Sequence, residues 1–116
     1  MRVKLEGKRF RVLEDALIDT GATFTVIPPA TADFLELEVN RSLPKAILVT
    51  ASGLIEAPVK VIERLEVNGI EVEKLPAVIH KIPDPSPIKV LLGMNLIERV
   101  KLTINGKQNM FMIEDP

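Results

Sequence analysis

Apolar and polar positions alternate along this chain in short runs bounded by Gly, Pro and Asn. That is the pattern of β-strands in a sandwich or barrel. Arg2-Val3-Lys4-Leu5 alternates, and Arg9-Phe10-Arg11-Val12-Leu13 does so again after the turn at Gly7. Together they predict an opening hairpin with one wet, basic face. Ala16-Leu17-Ile18 is an apolar run that stops at Asp19, and Thr25-Val26-Ile27 resumes as strand. Pro28-Pro29 predicts a short helix over residues 30–35, with proline in its first turn. Residues 46–50 and 55–61 flank Ala51-Ser52-Gly53, which reads as a hairpin tip, and the second arm is expected to run on through Val67. Asn68-Gly69 is the strongest turn signal in the chain and leads into Ile70-Glu71-Val72. Ala77-Val78-Ile79 is another buried strand. Residues 82–87 hold three prolines, which a hydrogen-bonded ladder excludes, so they form a loop. Val90-Leu91-Leu92 is a short buried strand, and residues 93–99 fit two helical turns. Residues 100–104 and 110–113 form a closing hairpin about Asn105-Gly106. No internal repeat or low-complexity segment interrupts the pattern.

The 116 residues make one domain, 1–116. Hydrophobic residues are 47 % of the chain, enough for a core, which excludes a disordered chain. Fifteen Lys and Arg against 16 Asp and Glu leave a net charge of −1. Phosphate binding wants a basic excess, so no nucleic-acid partner is expected. No apolar run approaches the roughly 20 residues of a membrane helix, so no membrane partner is expected either. Residues 1–10 lack the apolar stretch of a signal peptide, and the expected location is cytoplasmic. The basic cluster of Arg2, Lys4, Lys8, Arg9 and Arg11 reads as a solvated strand face rather than an anion site.

Cysteine is absent, which excludes disulfides, thiolate zinc sites and cysteine nucleophiles. His80 is the one histidine, and no G-x-S-x-G accompanies it, so neither a Ser-His-Asp triad nor a histidine-rich metal site is supplied. No metal or other cofactor is expected.

The informative stretch is Leu17-Ile18-Asp19-Thr20-Gly21-Ala22-Thr23. An acid directly after a buried apolar strand is costly unless something compensates it. Gly21 lets backbone N–H groups approach the carboxylate closely. A plain turn is the competing reading, because Asp-Thr-Gly is good turn chemistry. An aspartyl-nucleophile phosphatase wants a second acid where Gly21 stands. Kinases with an Asp-x-Gly-Thr phosphate loop need two large lobes. Neither G-x-x-x-x-G-K-[ST] nor G-x-G-x-x-G is present.

Four ordered features resemble the retropepsin family of aspartic proteases, the retroviral proteases and their cellular and prokaryotic relatives. They are Leu17-Ile18-Asp19-Thr20-Gly21-Ala22 with Thr25-Val26-Ile27, the hairpin tipped by Ala51-Ser52-Gly53, the loop Pro85-Ser86-Pro87, and Val90-Leu91-Leu92-Gly93-Met94-Asn95-Leu96. The order holds from about Phe10 to Ile104. The resemblance implies an all-β acid-protease half-barrel with a flap hairpin and one short C-terminal helix. It implies an aspartic endopeptidase that acts on a peptide or protein substrate as a homodimer. Asp19 of each copy would meet its mate on the two-fold axis. Thr20 would bond across the dimer, and Gly21 would serve the carboxylate and the substrate. Ala22, Val26, Ile47, Ala51, Ser52, Gly53, Ile88 and Leu91 would contact substrate. With Ala at 22, where two-lobed relatives often carry Ser, activity is expected at mildly acidic to near-neutral pH.

Two departures stand out. Retroviral members usually carry an acid after Asp-Thr-Gly-Ala and an Arg after the downstream glycine, an ion pair that braces the dimer. Thr23 and Met94 stand there, so both charges are missing together and none is left buried alone. Met110-Phe111-Met112-Ile113 is apolar on both strand faces, which suits an intersubunit strand or ordinary core equally. Asn95 reads as a brace of the last helix. Two rivals remain. One is a silent module on the same fold that binds peptides by strand addition or simply dimerises. The other is a monomeric hydrolase that uses Asp19 with His80.

Overall fold

The computed structural model describes residues 1–39, 45–50, 53–81, 88–105 and 110–114. Its elements run in the order β1 (Arg2–Glu6), β2 (Arg11–Ile18), β3 (Thr25–Ile27), α1 (Pro29–Phe34), β4 (Ala46–Thr50), β5 (Gly53–Ala57), β6 (Val59–Val67), β7 (Ile70–Ile79), β8 (Val90–Leu92), α2 (Met94–Ile97), β9 (Lys101–Asn105) and β10 (Met110–Glu114). The strands β1-β2-β8-β3-β7-β6 close into a small barrel, while β4–β5 and β9–β10 are two-stranded sheets of their own. The pairings β2–β8 and β3–β7 are parallel, and the other barrel pairings are antiparallel.

The barrel is filled by aliphatic side chains. Leu5, Ile27, Leu35, Ile62, Leu65, Leu75, Leu92 and Leu96 are fully buried. Each such side chain contributes about 1.5–3 kcal/mol of transfer free energy. Phe10 and Phe34 lie on the surface, where their rings meet at 5.7 Å.

The opening hairpin forms as its alternation predicts, with Glu6 opposite Arg11. Four of its five basic residues are ion-paired. Arg2 pairs with Asp15, Lys8 with Glu38 and Arg9 with Glu36, and Lys4 lies between Glu6 and Glu66. Glu66 and then Glu6 hold the Lys4 ammonium above its ordinary pKa. Arg64 extends the row to Glu6, Glu71 and Glu73. This is a solvated, charge-paired face.

Two elements differ from their expected bounds, each for a backbone reason. The arm expected to run from residue 55 through Val67 is split at Pro58. β5 pairs with β4, whereas β6 turns into the barrel between β1 and β7. Conversely, Ile70-Glu71-Val72 and Ala77-Val78-Ile79 belong to one ten-residue strand, β7. Its positions in the barrel core are Ile70 and Val72, then Leu75, Ala77 and Ile79, while Val78 is buried on the outer face. The inward phase slips at Lys74, which has φ 53°. β6 slips with it, from Ile62 to Leu65, because Ile62 opposes Leu75 and Leu65 opposes Val72. The turn between them has Asn68 at φ 53° and Gly69 at φ 81°, both left-handed as a tight two-residue hairpin requires.

β8 lies between β2 and β3, so the connection from β2 to β3 must cross over the end of β8. At the crossing, Gly93 lies directly against Phe24 and Thr25. A Cβ there would sit 2.3 Å from the carbonyl carbon and oxygen of Phe24 and 2.8 Å from the Thr25 nitrogen. Backbone cannot yield as a flexible side chain can. Gly93→Ala is therefore expected to destabilise the fold by roughly 3 kcal/mol. A urea titration checks this: the midpoint falls while the slope stays that of the parent chain.

Candidate active site

β2 ends at Ile18, but its ladder continues one step, as the Asp19 N–H donates to the Leu92 carbonyl at 3.0 Å. Strand alternation then keeps Asp19 on the outward side of β2, in line with Leu17. Asp19 is half-buried, and Thr20 and Gly21 are exposed. The chain turns back at once. The Ala22 N–H donates to the Asp19 carbonyl at 3.1 Å, and the Gly21 N–H donates to Asp19 Oδ1 at 3.0 Å. A Cβ on Gly21 would lie 3.3 Å from that same oxygen, tighter than an ordinary contact. Glycine thus keeps the turn close around the carboxylate.

The far side of the turn is clamped by α2. The Met94 N–H donates to the Ala22 carbonyl at 2.8 Å, and the Asn95 N–H to the Thr23 carbonyl at 3.0 Å. Asn95 Oδ1 accepts from both the N–H and the hydroxyl of Thr25, at 2.9 and 3.0 Å. Asn95 Nδ2 donates to the Pro76 carbonyl at 2.6 Å. Thr25 Oγ1 in turn accepts from the Gly93 N–H at 3.2 Å. Thr25 is fully buried, so these bonds replace all of its hydration. Asn95 is the brace the sequence suggested, though it ties β3, β7 and the turn together as well as the helix. The role of Thr25 was missed, because in sequence it is simply the first residue of an apolar strand.

Beside Asp19 runs an apolar row that crosses five strands: Leu17, Leu91, Val26, Val78 and Val59 are successive register partners on β2, β8, β3, β7 and β6. The outer end of the row is covered. Val26, Val78, Val59 and Ala57 form a second buried cluster, with Phe24, Ala46 and Leu91 packed on it. Ala46 and Ala57 are opposite residues at the base of the β4–β5 hairpin, so the hairpin rests on this row. The inner end is open, since Leu17 is 49 % exposed although it is apolar and two residues from Asp19. The result is a carboxylate at the rim of an apolar shelf, with a hairpin rooted beside it.

The expected substrate-contacting residues divide accordingly. Leu91 lies on the shelf, and Val26, only 8 % exposed, lies beneath it as floor. Ala22 is half-buried inside the turn. Ile47 opposes Glu56 and is 65 % exposed, on the face of the hairpin away from Ala46 and Ala57. Ile55 shares the face of Ala57 by alternation and is half-buried. Gly53 begins β5 with φ 117°, a conformation open to glycine. Ile88 is half-buried just ahead of β8. Ala51 and Ser52 lie outside the described residues, as does the loop 82–87. The sequence reading named Val26 and Leu91 of this row but not Leu17 or Ile55, for which an apolar residue two before the acid was the only trace.

His80 is anchored by its N–H to the Ile27 carbonyl at 3.0 Å, at the end of β3 remote from the Asp19 turn. A cleft of about 440 Å³ also lies away from the turn, lined by Glu14, Pro28, Pro29, Ala30, Thr31, Lys81 and Lys89. Among the described residues, no three His, Asp or Glu side chains are grouped to hold a metal ion.

Comparison with known proteins identifies both a family and a fold. Residues 1–99 match the family model described as gag-polyprotein putative aspartyl protease. The fold superposes on the crystal structure of a retropepsin-like aspartic protease from Rickettsia conorii with a TM-score of 0.66. The two chains are 20 % identical, and the match covers 97 % of this chain and 79 % of that one. Against the curated proteins, no sequence matches. With the model spanning the barrel, the Asp19 turn and its clamp, the chain belongs to the gag-polyprotein aspartyl protease family and has the retropepsin-like fold.

Proposed function

We propose that the chain is an aspartic endopeptidase that works as a two-fold dimer. The observation that carries this is the Asp19 turn: a half-buried carboxylate, held by the Gly21 N–H, at the edge of an open apolar shelf. Peptide hydrolysis by this route needs two carboxylates that share a proton. Two facing each other at about 3 Å cannot both ionise. Each chain brings one such turn, so the pair forms from Asp19 and the same residue of a second copy.

The ionised member takes a proton from water as the water oxygen attacks the scissile carbonyl. The protonated member donates its proton to the carbonyl oxygen. When the tetrahedral adduct collapses, one of its hydroxyls returns a proton to the ionised carboxylate, the C–N bond breaks, and the amine leaves with the proton of the other carboxyl, which restores the singly protonated pair. Water is the nucleophile, so no acyl-enzyme forms. Thr20, exposed beside the acid, would hydrogen-bond the partner's turn, and the Gly21 carbonyl would accept from the substrate backbone. The substrate would lie extended, as an added strand between the shelf and the β4–β5 hairpin. The hairpin would act as a flap, with Ala51, Ser52 and Gly53 over the peptide. Leu17, Leu91, Ile55 and Ile88 would offer apolar subsites above Val26, which favours cleavage next to hydrophobic residues.

Three outcomes are expected. In a mixed peptide library digested from pH 4 to 7, the parent chain cuts and Asp19→Asn loses at least about 100-fold in rate. Equal cutting by both, or none by a parent shown to be a folded dimer, overturns the proposal, and the second result favours a peptide-binding module. Ala22→Ser adds a hydroxyl that favours the ionised carboxylate, so the acidic limb of the kcat/KM profile moves to lower pH. An unmoved limb contradicts that role for position 22. Asn95→Ala strips partners from Thr25 and Pro76, which costs roughly 2 kcal/mol of stability in a denaturant titration. Because the turn itself loosens, kcat is expected to fall more than KM rises.

A further inference from the structure

The cleft of about 440 Å³ away from the Asp19 turn has no part in the chemistry of that turn. Four neighbouring strands of the barrel supply its walls. Glu14 comes from β2, Lys89 directly precedes β8, Pro28 directly follows β3, and Lys81 lies just past the end of β7. Backbone bonds tie these ends together. The Lys89 N–H donates to the Asp15 carbonyl and the His80 N–H to the Ile27 carbonyl, each at 3.0 Å. The volume is that of a small-molecule site.

Glu14 breaks the pattern of its strand. Val12, Ala16 and Ile18 share its phase on β2 and belong to the barrel core or pack against it. Its partner on β1, Val3, is fully buried. A carboxylate at such a position costs free energy unless it is compensated. The compensation within the chain is slight, because Thr31 Oγ1 donates to Glu14 at 3.5 Å, beyond the ordinary length of an O–H···O bond. Thr31 is itself only 6 % exposed, so a buried hydroxyl and a half-buried acid both have capacity for a closer partner. Among the described residues, neither Glu14 nor Lys89 joins an ion pair. One cleft thus presents a carboxylate and an ammonium that do not satisfy each other.

We propose that this cleft binds a small apolar zwitterion, a free amino acid or short peptide with both termini uncapped. Its ammonium meets Glu14 and Thr31 Oγ1, its carboxylate meets Lys89 and Lys81, and its side chain lies on Pro28 and Pro29. A simple anion would face Glu14 with like charge, and a simple cation would face the lysines. A zwitterion answers both, and the proline wall selects an apolar body. Binding here does not depend on the activity proposed for Asp19. If that activity holds, the ligand is of the class it releases, because each cut creates a free terminus on both products.

The test uses the full chain carrying Asp19→Asn, so that peptides are not turned over. No readout is cleavage, so failure here and failure of the protease reading are distinguishable. Leucine, leucyl-leucine, N-acetyl-leucyl-leucine, leucyl-leucine amide and inorganic phosphate are titrated by calorimetry, and the bound region is mapped by amide chemical shifts. Leucyl-leucine is expected to saturate the chain and to shift the amides of Glu14, Thr31 and Lys89. Blocking either terminus is expected to weaken binding at least about tenfold, because each block removes a hydrogen bond between charged groups. Glu14→Gln is expected to abolish the difference between the free and the N-acetylated peptide. Lys89→Met is expected to reduce the difference between the acid and the amide. Leucine that binds as tightly as leucyl-leucine assigns the cleft to free amino acids, and tighter binding of leucyl-leucine assigns it to peptides. Equal binding of free and blocked peptides, saturation by phosphate alone, shifts confined to the Asp19 turn, or no saturation by either zwitterion overturns the proposal.

Discussion

The structure depends on one crossing. To put a carboxylate at the end of β2 and return the chain as β3, the backbone must pass over the end of β8, which lies between them. Two residues make this possible. Gly93 removes the side chain that would strike Phe24. Asn95 supplies an amide that satisfies Thr25 on one side and Pro76 on the other. A fully buried hydroxyl left without partners would cost about 1–3 kcal/mol, so the brace is a requirement of the fold as much as of the site. The same few bonds fix the turn that holds Asp19. Stability and site geometry are therefore coupled, because a change that loosens the crossing loosens both.

The two faces of the barrel wall have different tasks. Inward, the aliphatic residues of six strands make a continuous core. Outward, the row from Leu17 to Val59 is apolar as well, and is covered only in part, by the base of the β4–β5 hairpin. A half-covered apolar row beside a carboxylate is a poor choice for stability alone. It is the kind of surface that marks a binding groove. The opposite wall, where Lys4, Arg64 and their glutamates alternate across β1, β6 and β7, carries ordinary solvated ion pairs.

Membership in an aspartyl protease family and a retropepsin-like fold fit this arrangement, but chemistry is a property of sites. One chain supplies one Asp-Thr-Gly turn. The rest of the machinery proposed for it depends on a second copy.

Much of this was legible in the sequence. Short alternating runs and the Asn68-Gly69 turn determined an all-β chain, because period-two patterning and left-handed turn residues act locally. The ordered set from Asp19 to Leu96 pointed to the family, and Asn95 read as a brace. What tertiary structure alone decided concerns residues whose neighbours are distant in sequence. Pro58 splits one apparent arm because the two halves find different partners, while β7 runs through Pro76 because β3 pairs with it only from Ala77 on, and the Pro76 carbonyl accepts instead from Asn95, 19 residues away. Ile47 and Ile55 are equally apolar in sequence, and only the register of β4 against β5 determines which of them faces the shelf. Strand alternation alone puts Leu17 in line with Asp19, but that its side chain stays half-exposed is decided by what packs over β2. Local pattern specifies strands and turns through short-range sterics and burial. Which strands become neighbours, and so which side chains share a site, is a balance of long-range contacts that no short stretch of sequence contains.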